Sequence, residues 1–313
     1  MTTTTSEEGA ARLHEFQAQR PRMFGIAYRM LGSATDADDV LQDAWLRWQG
    51  VDRSTVLDPA AYLARTVTNL CLNVLDSAHA RREVYVGPWL PEPVVTRGTA
   101  EELPLGPLDD AAQRDTVSFA LLQLLERLTP QERAAYVLHE AFDYGYREIA
   151  ELIGTSEANA RQLGARARQH IGSEREQRVD PGRWRELVGA FLAAARDGDI
   201  AALESLLADD VVTRSDGGGV VSAARKPVVG RDRVARFLAG VVERFAPNMA
   251  ARFEEVNGEE AVVAMLGDEL GGILFVEIRD GLIVTIDIVA NPQKLAFAEA
   301  QLSGAEPSRP EPQ

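Results

Sequence analysis

Tyr146-Arg-Glu-Ile-Ala-Glu-Leu-Ile-Gly154 followed by Thr155-Ser-Glu-Ala-Asn-Ala-Arg-Gln-Leu-Gly-Ala-Arg-Ala-Arg-Gln-His-Ile171 decides how the first two thirds of the chain are read. A short apolar-periodic helix stops at Gly154, and Thr155-Ser156-Glu157 caps a second helix that runs to about Ile171. Two short helices joined by a tight Gly-containing turn form a helix-turn-helix candidate. On a helical wheel the second helix divides cleanly. Ala160, Leu163, Gly164, Ala167 and Ile171 form a stripe of small and apolar residues, and Asn159, Gln162, Arg166, Gln169 and His170 lie opposite, flanked by Arg161 and Arg168. Small residues allow close packing on a partner helix, Asn, Gln and Arg can bond base edges in the major groove, and flanking arginines suit phosphates. Residues 158–178 hold five arginines against two glutamates. The competing reading is a solvated basic helix end, which the helix dipole favours in any protein.

Upstream, Thr129-Pro-Gln-Glu132 is a helix start, with Thr129 as N-cap, Pro130 at the first helical position and Glu132 closing a capping box. Residues 11–83 read as helix almost throughout. In Asp36-Ala-Asp-Asp-Val-Leu-Gln-Asp-Ala-Trp-Leu-Arg-Trp48, helical spacing puts Asp36, Asp39 and Asp43 on one face and Leu41, Trp45 and Trp48 on another. From periodicity that pattern fits first a solvated acidic face over an aromatic core, and the sharper reading is an acidic docking surface for a basic partner. The next helix starts near Asp58-Pro59 and runs to about Arg82, carrying Tyr62, Arg65, Asn69, Asn73, Arg81 and Arg82. These groups can stack on and bond unpaired bases, or be the polar side of an ordinary amphipathic helix.

The chain of 313 residues is long enough for two or three domains, and its net charge of -15 argues against a protein that coats nucleic acid without specificity. Cys71 is the single cysteine, and His14, His79, His139 and His170 show no ligand spacing, so neither a metal nor another cofactor is expected. No signal segment and no membrane-length apolar run is evident, which predicts a cytoplasmic protein that does not engage membranes. Residues 1–10 read as a disordered lead-in and the tail from Ser303 as disordered. Gly87 to Pro107 is rich in Pro and Gly and reads as a linker. After helical stretches at 182–197 and 199–208, short β-branched runs appear at Val211-Val212, Ala261–Met265, Ile273–Ile278 and Leu282–Val289, with a hairpin signal at Arg279-Asp280-Gly281.

The two helical blocks together resemble the extracytoplasmic-function (ECF) sigma factors of bacterial RNA polymerase. Phe24-Gly-Ile-Ala-Tyr-Arg-Met-Leu-Gly32 with the Asp36–Trp48 segment is similar to sigma region 2. Leu128–Leu138, Tyr146–Gly154 and Glu157–Arg168 are similar to region 4. The resemblance implies that Asp38, Asp39, Gln42 and Trp45 bind the β′ clamp helices of core polymerase. It further implies that Tyr62, Arg65, Asn69 and Asn73 read and open the −10 element. Ser156, Asn159, Arg161, Gln162 and Arg166 would read the −35 element, with the β flap holding region 4.

A narrower resemblance joins three further segments: Trp89-Leu90-Pro91-Glu92-Pro93, Asp216-Gly217-Gly218-Gly219, and Asn291-Pro292-Gln293-Lys294-Leu295. They look like the marks of the SigJ-type subgroup, whose members carry a fused SnoaL-like, or NTF2-like, domain. Val220 and Gln293 depart from that pattern, where a lysine and an acidic residue are usual. The expected fold is multidomain: region 2 at 11–85, a linker at 86–112, a region 4 helix-turn-helix at 113–178, an α+β SnoaL-like cone with a curved, mostly antiparallel sheet at 181–300, and a disordered tail at 301–313. The two prolines of the Trp89 strip lock φ, so the strip docks at little entropic cost, and the glycines allow close backbone approach. The resemblance implies regulation in cis, with no separate anti-sigma factor, and leaves room for an unidentified small-molecule ligand.

The alternative reading is a one-component helix-turn-helix regulator with a ligand-sensing or enzymatic SnoaL-like domain. Its weakness is the acidic-aromatic helix, which such a regulator does not need. Residues 171–313 hold neither His nor Cys, and general acid–base chemistry most often uses His. Asp287 and Glu277 lie on apolar strands and face either a pocket or solvent. No catalytic residue is assigned.

Overall fold

The computed structural model describes residues 2–82, 85–98, 104–105, 111–172, 179–245 and 249–304. They fall into two compact units, Met1–Glu83 with Gly98–Glu174, and Val84–Arg97 with Arg175–Gln313.

The first unit contains α1 (Thr2–Leu31), α2 (Ala34–Gln49), a short 3-10 turn (Arg53–Thr55), α3 (Pro59–Arg82), α4 (Ala111–Asp115), α5 (Phe119–Leu125), α6 (Pro130–Phe142), α7 (Tyr146–Ile153) and α8 (Glu157–Ile171). Local chemistry sets these boundaries. Ser33 caps α2 by accepting the Asp36 N–H at 3.0 Å. The Asp58 carboxylate accepts the Ala61 N–H at 3.1 Å and opens α3. Thr129 and Glu132 form the expected capping box on α6. Gly154 ends α7 at φ 70°, a left-handed conformation that only a residue without Cβ adopts freely. The expectation of disorder over residues 1–10 is corrected, because α1 extends back to Thr2. Gly9 and Ala10 are exposed there.

Helices α1, α2 and α3 pack on one another, and α1 and α3 also pack on α6, with α3 reaching α7. The region 2 and region 4 segments thus share one body. Two buried arginines sit where they meet. Arg29 donates from Nε to Thr116 Oγ1 at 3.0 Å and from Nη1 to the Gly25 carbonyl at 3.1 Å, and lies 5.1 Å from the Phe142 ring centre. Arg133 donates to the Met30 carbonyl at 2.7 Å and to Glu126 at 2.8 Å. Burial pushes their pKa values down, to about 9 for Arg29 and about 10 for Arg133. A Cβ on Gly25 would lie 2.9 Å from the Leu105 carbonyl, so glycine is what lets the segments approach.

The second unit contains α9 (Pro181–Asp197), α10 (Ile200–Leu206), β1 (Leu207–Asp216), β2 (Val228–Val229), α11 (Arg231–Phe245), β3 (Met249–Val256), β4 (Glu259–Leu266), β5 (Glu269–Arg279), β6 (Leu282–Val289) and α12 (Pro292–Ser303). The six strands form one sheet in the order β2-β1-β6-β5-β4-β3. All neighbours are antiparallel except β1 and β6, so the sheet is mixed. Asp280 and Gly281 both have positive φ in the β5–β6 turn, as the hairpin signal requires. One sheet face packs Val211, Val262, Val276, Ile278 and Ile286 against Trp184, Val188 and Phe191 of α9, Leu203 of α10 and Val234 and Leu238 of α11. Trp184 Nε1 donates to the Val276 carbonyl at 2.8 Å, so the buried indole is satisfied. The expected tail at 301–313 is corrected in part. Gln301 to Ser303 close α12, and the Gln301 amide bonds both the N–H and the carbonyl of Val95. Residues 305–313, and the parts of the expected linker at 99–103 and 106–110, lie outside the described residues. So do the side chains of Arg81 and Arg82.

Arg29 bonds a hydroxyl and a carbonyl, neither of them charged, and burial disfavours its charge. Arg29→Met, which keeps the stem and drops the charge, is expected to change unfolding free energy by less than about 1.5 kcal/mol. Arg29→Ala leaves a cavity and is expected to cost about 2–4 kcal/mol. Urea unfolding of the full chain separates the two outcomes.

Candidate functional site

Four surfaces carry the residues singled out by sequence. The first is α2. Asp39, Gln42, Asp43 and Leu46 are all exposed at steps of three, one and three residues, a single stripe. Asp38 is ion-paired with Arg20 at 2.8 Å. Trp45 is half-buried, with its ring centre 5.1 Å from that of Phe16. Of the four expected contacts, Asp39 and Gln42 are presented outright, while Asp38 and Trp45 shape the edge. Leu46, which sequence reasoning missed, is 59% exposed. The available signal was a leucine lying off the apolar stripe of Leu41, Trp45 and Trp48.

The second surface is α3. Leu63, Val67 and Leu70 on one side and Ala64, Thr68, Cys71 and Leu75 on the next are buried. Arg65 and Asn73 are exposed and Tyr62 and Asn69 half-buried, and at steps of three, four and four these share the remaining face. Tyr62 is steadied by the Trp48 ring, 5.6 Å away between centres.

The third is the helix-turn-helix. Ala160, Leu163, Gly164, Ala167 and Ile171 are buried as one stripe. Gln162 and Arg166 are exposed and Asn159 half-buried. Ser156 is the α8 N-cap, its hydroxyl accepting the Asn159 N–H at 3.2 Å. Asn159 Nδ2 donates to Thr155 Oγ1 at 2.8 Å. Each arginine of α8 is tied to a carboxylate: Arg161 to Glu157 at 2.8 Å, Arg166 to Glu132 at 3.3 Å and Arg168 to Glu140 at 3.1 Å. The tie to Arg166 is made through Nε, and its side chain is 48% exposed.

The fourth brings the three unusual segments together within the second unit. Asp216 ends β1 fully buried, and its carboxylate accepts four hydrogen bonds. Tyr85 Oη (2.5 Å) and the Gly218 N–H (3.1 Å) donate to Oδ1. The Leu90 N–H (2.9 Å) and Lys294 Nζ (2.7 Å) donate to Oδ2. Lys294 Nζ also donates to the Leu90 carbonyl. It lies 4.1 Å from the Trp89 ring centre and 4.9 Å from that of Tyr85. Asn291 caps α12 and donates from Nδ2 to Tyr85 Oη at 3.0 Å. Burial, then the bond to Asp216, pushes the Tyr85 hydroxyl pKa up. Gly218 has φ 60°, and a Cβ there would overlap Asn291. Gly217 is buried, and a Cβ added at Gly219 would lie 3.3 Å from Val86 Cβ. Pro91, Glu92, Pro93 and Leu295 are buried beside this network, whereas Pro292 is exposed. Further along the strip, Val94 and Asn257 exchange two hydrogen bonds at 3.1 and 2.8 Å, and the Thr96 N–H donates to the Glu255 carbonyl at 3.0 Å. Val220 and Gln293, the two departures from the subgroup pattern, are both exposed and take no side-chain part in the network. Tyr85, Asn257 and Gln301 were missed from sequence, because nothing local marks a partner more than a hundred residues away.

The two strand carboxylates are both engaged. Asp287 is buried and held bidentately by Arg214 at 2.6 and 2.9 Å, and Glu277 bonds Arg279 at 3.1 Å. Among the described residues no helix is long and apolar enough to cross a membrane.

Comparison with known proteins follows the same division. Residues 16–82 match Sigma-70 region 2, residues 118–171 match Sigma-70 region 4, and residues 188–286 match the SnoaL-like domain. The chain belongs to the ECF RNA polymerase sigma factors, with a SnoaL-like domain fused after region 4. It is 38% identical over 94% of its length to the ECF RNA polymerase sigma factor SigJ of Mycobacterium tuberculosis, covering 96% of that protein. It is 33% identical over 92% of its length to the probable ECF sigma factor SigI of the same species, again covering 96%. The crystal structure of the M. tuberculosis SigJ aligns over 95% of this chain and all of that one, with a TM-score of 0.71.

Asp216→Ala strands the Lys294 ammonium in a buried site without its counter-charge. It is expected to destabilise the second unit by about 3–5 kcal/mol and to speed amide hydrogen exchange at residues 90–96. Lys294→Met in the same chain should restore part of the loss, a coupling that a double-mutant cycle measures.

Proposed function

We propose that the α2 stripe of Asp39, Gln42 and Leu46, edged by Asp38 and Trp45, docks on core polymerase. The exposed face of α3, with Tyr62, Arg65, Asn69 and Asn73, engages the −10 element. The α8 face, with Asn159, Arg161, Gln162 and Arg166, engages the −35 element, while Ser156 serves it as a cap. The protein works where polymerase and chromosome are, in the cytoplasm.

We further propose that the SnoaL-like domain regulates transcription in cis. The observation that carries this is the Asp216–Lys294 pair, which bonds Tyr85 and Leu90 of the strip 85–97. That strip is the covalent connection between the two DNA-reading regions, and the same residues are built into the fold of the third domain. Whatever loosens or tightens the strip alters the freedom of the two regions to take up their promoter elements, without a separate anti-sigma protein. An enzymatic role for the domain is disfavoured by the engagement of Asp287 with Arg214 and by the lack of His and Cys after residue 170.

Run-off transcription with core polymerase tests the assignment. Asp39→Ala with Leu46→Ala should weaken co-purification with core enzyme while circular dichroism stays unchanged. Gln162→Ala should lower promoter use in a manner that depends on the −35 sequence, by about 1–3 kcal/mol at the affected base. Trp89→Ala and Asp216→Ala should change transcript yield in the same direction. If removal of residues 181–313 leaves transcription and core binding as they were, the regulatory reading fails.

A further inference from the structure

Gly164 lies in the middle of α8, where glycine costs about 1 kcal/mol relative to alanine. Its neighbourhood gives a reason. A Cβ at Gly164 would stand 2.9 Å from Cε1 and 3.0 Å from Oη of Tyr146, so the missing side chain is a notch that the tyrosine fills. From that notch Tyr146 touches two arginines on the rim of α8. Its hydroxyl accepts from Arg168 Nη1 at 2.8 Å, and the Arg161 guanidinium lies 5.1 Å from its ring centre. On its other side the ring stacks on His139 at 4.5 Å, and His139 Nδ1 is 2.9 Å from the Tyr144 carbonyl, which fixes the stack. Arg161 and Arg168 are seven residues apart, two turns, so they stand on one edge of the helix about 10 Å from each other. Their side chains are 63% and 45% exposed. The bonds of Arg168 to Glu140 and Tyr146 both use Nη1, so Nε and Nη2 keep their N–H donors.

We propose that Tyr146, seated in the Gly164 notch, is the positioning residue of the −35 reader, setting Arg161 and Arg168 along one edge of α8 as a paired contact to the phosphates of one DNA strand. The proposal rests on the reading of α8 as the −35 recognition helix. Within it, the polar stripe reads bases, whereas the tyrosine-held pair supplies the register of the helix on the backbone.

The test is the salt dependence of promoter binding by the full chain in complex with core polymerase, using duplexes that vary in the −35 element. Tyr146→Phe keeps the ring in its notch and removes the bond to Arg168. It should weaken binding roughly three- to tenfold, equally on all −35 variants. The slope of log K against log salt should fall by about 1, the value of one phosphate contact. Arg168→Ala should do the same, and the double variant should be no worse than either. Core binding and the melting temperature of Tyr146→Phe should match the parent. An unchanged slope for Tyr146→Phe beside a reduced slope for Arg168→Ala would show that the tyrosine positions nothing. An unchanged slope for both would show that Arg168 meets no phosphate. Should the parent complex bind all −35 variants alike, the reading of α8 itself falls, and the proposal with it.

Discussion

A carboxylate sealed from water has to find donors for its lone pairs, and Asp216 has room for about four. It finds four: a tyrosine hydroxyl, two backbone amides and an ammonium group. Tyr85 and Leu90 come from the strip that follows α3, Gly218 from the loop after β1, and Lys294 from α12. Satisfying one buried charge therefore joins three segments that are remote in sequence. The neighbouring choices are consequences of that demand. Glycine at 218 keeps the loop clear of Asn291, Asn291 orients Tyr85 as it caps α12, and the Trp89 ring lies against the lysine charge. A buried pair of this kind adds little net stability, since desolvation offsets its attraction. What it does is tie the strip to two elements at once, since Leu90 bonds Asp216 through its N–H and Lys294 through its carbonyl.

Much of the architecture is legible in the sequence where the signal is local. Thr129 with Glu132, Gly154 and Ser156 mark helix ends by chemistry that acts within one turn, and the wheel of α8 separates buried from exposed residues as the structure does. The hairpin at Asp280-Gly281 is legible for the same reason. Elements without local marks are not. Strand β2 has only two residues, and β3 carries exposed alanines and arginine where alternation would be sought. Helix α12 is hidden behind a motif that draws attention to Lys294 and Leu295 as contacts, although Asn291-Pro292 is an ordinary N-cap followed by proline at the first turn.

The candidate surfaces were legible to different depths. The grouping of Trp89, Asp216 and Lys294 could be suspected, but the reason for it, a charge buried across 78 positions, cannot be read from either end. On α2 and α3 the residue types were apparent, while exposure depends on tertiary packing. Trp45 is drawn inward by Phe16 and Tyr62 by Trp48, and Leu46 is left outside because the apolar stripe already fills the bundle.

The carboxylates beside Arg161, Arg166 and Arg168 bear on how such a protein lives among a whole chromosome of competing sites. A helix bristling with unpaired arginines would adhere to any duplex and be lost on it, since non-specific affinity grows with each counterion released. Here each of the three arginines already has a carboxylate partner, Glu157, Glu132 or Glu140, which a phosphate would have to displace. Random DNA gains little by replacing them, and a net charge of -15 repels it further. On the proposed reading of α8, the free protein would stay available for its partner enzyme, and grip on a promoter would be gained mainly when polymerase brings several weak contacts to bear at once.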